Sequence, residues 1–185
     1  MKTKKICVGL SGIAPIMFDR YPGDNQTILP PEKKFYFGND GKSLVFPSAN
    51  LMSFLTAENT KSAPKVLFES KEYKKICMAN AAFVAISPFE IPLTADGKQI
   101  VFEGWNDKIH VLSNVARVKG IPHPLERPYV DIPWELEFTI YYTENKTVSE
   151  RMLQDIFVQG GIRVGLGTFR PIYGKFVVTK WEEIE

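Results

Sequence analysis

Histidine and cysteine are nearly missing from this 185-residue chain, which holds two of each. Cys7, Cys77, His110 and His123 match neither the ligand spacing of a zinc site nor a disulfide framework. Two buried, free thiols in a reducing cytoplasm are the expectation. Asp19, Asp24, Asp40 and Asp131 are scattered over predicted loops, and no serine stands in a nucleophile elbow. Neither a metal nor a cofactor is therefore called for. No segment approaches the ~20 apolar residues of a membrane span. Ile6-Cys7-Val8-Gly9-Leu10, after a basic start, is too short and too broken for a secretion signal and reads as a strand. An excess of charge is lacking too: 23 basic against 21 acidic residues leave a net charge of +2. The total alone does not announce a nucleic-acid binder.

What is present is an ordinary core-forming composition, with 44% hydrophobic and 12% aromatic residues. Thirteen prolines and thirteen glycines spread along the chain predict many turns and short strands within one domain, 1–185. The charge is also unevenly placed. From Gly161 to Lys180 every charged residue is basic: Arg163, Arg170, Lys175 and Lys180. Glu182, Glu183 and Glu185 follow and mask that patch in the sum.

The basic patch falls in a glycine-rich stretch, 160–176, with five glycines, two arginines, one lysine and no acid. Gly160 and Gly161 read as the cap of a preceding helix. Gly165, Gly167 and Gly174 exceed what a stop signal needs. Glycine lets backbone N–H groups approach a ligand closely, and arginine supplies a planar fork suited to phosphate. The stretch reads as a loop that holds an anion, or as a purely structural loop. It is not a dinucleotide fingerprint, because a helix precedes it and a strand follows. Gly41-Lys42-Ser43 is not a phosphate loop either, since the upstream glycine is missing.

Periodicity supplies the elements. A first strand is predicted over 5–18. Hairpins are predicted around Asp40-Gly41 and Asp96-Gly97, the latter between strands over 83–93 and 99–102. Ser48 is expected to cap a short helix with Leu51, Met52 and Leu55 on one face, and 70–80 reads as a second helix. A strand is predicted over 109–118. Trp134, Leu136, Phe138, Ile140 and Tyr142 alternate with Glu135, Glu137 and Thr139 as a half-buried strand. Thr147-Val148-Ser149-Glu150 reads as a capping box led by Thr147, opening a helix to Gln159 whose apolar face is Met152, Leu153, Ile156 and Phe157. The last strand is 174–181. The order predicts an α+β fold, a ferredoxin-like, RRM-like βαββαβ core with inserted β-hairpins at about 19–47 and 83–130. Within the second, between two strands, 119–128 carries Pro122, Pro124 and Pro128, which predict an irregular projecting connection without ladder bonding.

Two segments resemble the repeat-associated mysterious protein (RAMP) superfamily, the RNA-binding subunits of CRISPR effector complexes. Ser43-Leu44-Val45-Phe46-Pro47-Ser48-Ala49-Asn50-Leu51 resembles its strand-to-helix signature Ile-Pro-Gly-Ser-Ser-Leu, with Phe46 and Ala49 where Ile and Gly would stand. The second segment is the glycine-rich stretch. The chain is also similar to small phage and prophage proteins that look like stand-alone relatives. Their Gly-x-x-Pro-Leu-Leu-Met strand compares with Gly12 to Phe18, and their Gly-Leu-Gly-x-x-Arg-Pro-x-x-Gly-x-Phe with Gly165 to Phe176. The resemblance implies an RRM-like core and binding of single-stranded nucleic acid along a groove.

The reading that follows is a non-enzymatic binder of single-stranded RNA or DNA, with assembly into a homo-oligomer or larger protein complex and no membrane contact. Its location would be cytoplasmic, in the bacterial host if phage-encoded. The contacts expected are Arg117, Lys119 and Arg127 from the proline-rich segment, and Arg163, Gly165, Gly167, Phe169, Arg170, Tyr173 and Lys175 from the glycine-rich one. One alternative is an endoribonuclease using His123 as general acid–base. Another is an inhibitor or sponge that holds an anionic nucleotide or a protein partner.

Overall fold

The computed structural model describes residues 2–58 and 61–185. The chain runs β1 (Thr3–Gly12), β2 (Ile16–Met17), a 3-10 turn (Pro31–Lys33), β3 (Val45–Pro47), α1 (Ser48–Thr56), α2 (Ala63–Leu67), α3 (Ser70–Phe83), β4 (Val84–Ser87) and β5 (Glu90–Pro92). It continues with β6 (Thr94–Ala95), β7 (Lys98–Gln99), β8 (Ile109–Val118), β9 (Ile121–Val130), β10 (Glu135–Thr143), α4 (Glu150–Arg163) and β11 (Phe176–Ile184). The fold is α+β.

Period-two patterning builds the centre. Ile6, Val8 and Leu10 of β1 lie opposite Ile140, Phe138 and Leu136 of β10, and all six are buried. β11 pairs with the other edge of β1, β4 with the other edge of β10, and every pairing is antiparallel. The order β11-β1-β10-β4, with helices crossing from β1 to β4 and from β10 to β11, is that of a ferredoxin-like sheet. The core is elaborated: three helices occupy the first crossover, and β5 to β9 intervene between β4 and β10. α4 covers one face with Leu153, Ile156 and Phe157, all buried. The Phe157 ring centroid lies 5.4 Å from Phe54, 5.8 Å from Phe138 and 6.0 Å from Trp181. The other face carries Glu135 and Glu137, with Lys180 Nζ 3.6 Å from Glu137 and 3.9 Å from Glu182.

Several local expectations are corrected. The first strand stops at Gly12, and Ile16–Met17 leaves the main sheet to pair with β9. Pro15 has no N–H to continue the ladder, and its carbonyl accepts from Gly174 N–H at 2.7 Å. Ser48 is the first residue of α1 and makes no side-chain cap; its N–H donates to the Phe89 carbonyl. The Asp40 turn is present, yet β3 takes β5 as its partner, leaving only a Phe37–Leu44 bridge to the expected one. Phe83 ends α3 instead of opening a strand. The cap of α4 is Ser149, whose Oγ accepts from Met152 N–H. Asn145 Oδ1 already accepts from the N–H groups of Thr147 and Val148, so an Asx turn occupies the intended cap. α4 continues through Gly160 and Gly161, which are packing positions and not caps. A Cβ on Gly160 would stand 2.6 Å from the Phe54 ring, and one on Gly161 2.4 Å from the Phe176 carbonyl oxygen. Of the two thiols, both free, only Cys77 is buried, and Cys7 is half-exposed.

The proline-rich segment is the largest correction. It is a regular strand, β9, paired with β8 over ten residue pairs and closed by a two-residue turn at Lys119-Gly120, both at positive φ. Such a turn makes Val118–Ile121 a hydrogen-bonded pair, so alternate pairs are not bonded. Pro122, Pro124 and Pro128 lie opposite Arg117, Val115 and Val111, all at unbonded positions, where a missing N–H costs the β8 ladder nothing. Consistent with that phase, the Pro128 carbonyl turns away from β8 to accept from Phe18 N–H at 2.9 Å. Beyond Ser113 the hairpin is an exposed arm, so it does project.

Candidate nucleic-acid interface

The glycine-rich turn, 164–175, follows α4 and folds back on itself. Leu166 N–H donates to the Gly174 carbonyl, Tyr173 N–H to that of Phe169, and Thr168 N–H to that of Met17 in β2. Two of its glycines are dictated by this closeness. A Cβ on Gly174 would lie 1.7 Å from the Leu166 carbonyl oxygen, and one on Gly167 2.4 Å from that of Met17; both residues also have positive φ. Gly165 lies back to back with Gly174. The backbone donors of Leu166, Thr168, Tyr173 and Gly174 are therefore spent inside the protein, which leaves those of Gly167, Phe169 and Arg170, with the side chains of Phe169 and Arg170, to meet a ligand.

Those side chains point into one surface. Arg127, Gly167, Phe169 and Arg170 line a shallow cleft of about 360 Å³ together with Lys61. Arg170 is half-buried, and burial pulls its guanidinium below the usual arginine range, with no acid opposing that effect. Among the described residues it has no ion-pair or hydrogen-bond partner. Arg127 is held by Asp19 through Nε at 2.9 Å. Phe169 is 41% exposed at the rim and sits at φ +57°, a conformation rare for a bulky residue. From it a row of rings leads toward the arm. Phe169 and Tyr173 are 5.7 Å apart, Tyr173 and Tyr129 5.7 Å, and Tyr129 stacks on His110 at 5.1 Å.

The other expected contacts lie elsewhere. Arg117 and Lys119 are at the exposed tip of the arm. Arg163 ends α4 with Nη2 donating to the Val66 carbonyl at 3.4 Å. Lys175 leads into β11, and its carbonyl accepts from the N–H groups of Ile13 and Ala14. His123 is exposed on β9 opposite Ala116 between two prolines, and among the described residues its ring has no hydrogen-bond partner. Sequence reasoning missed Lys61, which has no periodic signal, and the part of Tyr129 and His110, whose stacking depends on register in a strand expected to be irregular. Among the described residues no three His, Cys, Asp or Glu side chains are grouped to hold a metal, and no helix is long and apolar enough to cross a membrane.

No family model matches the chain, and no curated protein matches it. Among solved structures it is similar to a chain of a cryo-EM structure described as the type III-B Cmr-beta bound to cognate target RNA, with a TM-score of 0.60 and 14% sequence identity. The match covers 100% of this chain and 61% of that one. At this identity the likeness speaks to architecture: the chain shares its α+β fold with that chain of the type III-B Cmr-beta structure.

Proposed function

We propose that this protein binds single-stranded nucleic acid, RNA in the first instance, without cutting it, and does so within a larger protein assembly. Its nearest kind would be the stand-alone phage or prophage relatives of RAMP subunits, working in the cytoplasm. The observation that carries this reading is Arg170: a half-buried guanidinium that among the described residues has no ion-pair partner, in the same cleft as Arg127 and Lys61. A phosphate supplies the missing charge in a geometry suited to arginine's fork. The ring row beginning at Phe169 offers faces on which bases stack, each worth about 1–3 kcal/mol. The fold shared with a type III-B component supports the same reading. The open sheet face, where RRM-type binding would occur, displays Glu135, Glu137 and Glu182 and disfavours phosphate.

The test is the salt dependence of RNA oligonucleotide binding. Lys61→Gln with Arg170→Gln should weaken binding and lower the slope of log K against log salt by roughly one per lost contact. A folded double variant with unchanged affinity and slope overturns the assignment.

A further inference from the structure

A second cleft of about 280 Å³ opens beside the first, between the glycine-rich turn and α1. Its floor is apolar, with the buried rings of Phe46 and Phe54. The Asp19 carboxylate, held by Arg127 and Lys34, lines it too, and the rim is polar, with Asn50 and Ser53 on α1 and Thr168 on the turn. Among the described residues none of these three side chains makes a hydrogen bond, so the rim offers unpaired donors and acceptors over a hydrophobic base. Arg170 lines both clefts.

We propose that this cleft takes one unpaired nucleobase from the bound strand and reads its edge through Asn50 and Ser53. The inference rests on the nucleic-acid reading above and adds base preference to it. Size limits the occupant, since a few hundred Å³ is the lower end of small-molecule sites and holds one base with its sugar but not two. Chemistry limits it further. An apolar base with an amide and a hydroxyl at the rim suits a ring that is apolar on its faces and hydrogen-bonding at its edge. Connection supplies the last element. A phosphate on Arg170 leaves its own base within reach of this cleft, while the strand continues toward Lys61 and Arg127 in the other.

Binding of short oligo-A, oligo-C and oligo-U RNA to the full chain, compared with Asn50→Ala/Ser53→Ala, tests this. The wild-type chain should rank the three oligomers with a spread of about tenfold or more, the discrimination of one well-read base edge. The double variant should keep its thermal transition while the spread falls below about twofold. A spread retained in the folded variant, or absent from the wild type, overturns the base pocket and leaves the nucleic-acid reading standing. No binding of any oligomer at low salt overturns both. A nucleoside monophosphate that binds as tightly as the oligomers overturns the strand-borne occupant and makes the cleft a free-nucleotide site. A further variant, Ser53→Trp, fills the cleft while leaving Lys61 and Arg170 in the sequence, and should likewise erase the ranking.

Discussion

Arg127 of β9 and Asp19, just beyond β2, are joined by a 2.9 Å bond from Nε to Oδ2 at the root of the projecting arm. Lys34 completes the group: its buried Nζ lies 3.4 Å from the same carboxylate and donates to the Glu126 carbonyl at 2.6 Å. One acid thus neutralises two cations between the arm and the body. Asp19→Ala leaves Lys34 buried without its counter-charge and should cost about 1–3 kcal/mol in urea denaturation. A midpoint unchanged from wild type would mean that water serves Lys34 as well as Asp19 does.

Phe157 touches rings from α1, β10 and β11, and its side chain is fully buried. Phe157→Ala should destabilise by about 3–5 kcal/mol. The measurement is equilibrium unfolding at constant m-value, which separates lost packing from an altered denatured state.

Gly174→Ala and Gly41→Ala form a matched pair. Both glycines have positive φ, +82° and +70°, but Gly41 faces open space while Gly174 faces the Leu166 carbonyl. Gly41→Ala should cost about 1–2 kcal/mol, the backbone penalty alone. Gly174→Ala should cost clearly more, because the turn must shift to admit the methyl group. Equal losses in melting temperature would show that the turn yields freely.

Asp40 titrates low. The Ser43 hydroxyl, and then the N–H groups of Lys42 and Ser43, hold its carboxyl down to about 2. A folded-state value below the ordinary 3.8 means the charged form is favoured by the turn. Its contribution is present above about pH 4 and is lost as the pH falls through about 2. Carboxyl NMR of the native protein should give a midpoint near 2 for Asp40, and Ser43→Ala should raise it toward 3.8.

Much of this architecture is legible in residue order. The alternation from Trp134 to Tyr142 and the Leu153, Ile156 and Phe157 stripe are set by local period, and both stand as read. What was illegible depends on phase and distance. The capping box failed because Asn145, two residues earlier, forms its own turn. The prolines of β9 were read as ladder breakers because their phase against β8 is set by a turn closed at Lys119-Gly120. In the candidate interface, Arg170, Phe169 and Arg127 were visible as residue types. Their meeting with Lys61 was not, because it depends on where the fold brings 61 and 127, which lie far apart in sequence.

The phase of those prolines gives the arm two unlike borders. Along β9, the outward positions 122 and 124 are proline and offer no amide hydrogen to a neighbour, Glu126 keeps its own, and 128 is already covered by Phe18. Along β8, the outward positions are Val111, Ser113, Val115 and Arg117, each with its N–H intact. A strand arriving from another molecule finds a full hydrogen-bonding edge on one border and a sparse one on the other. Strand-to-strand joining through the arm therefore falls to β8: two β8 borders can pair symmetrically into a closed dimer, while the β9 border lacks the amide donors of 122 and 124.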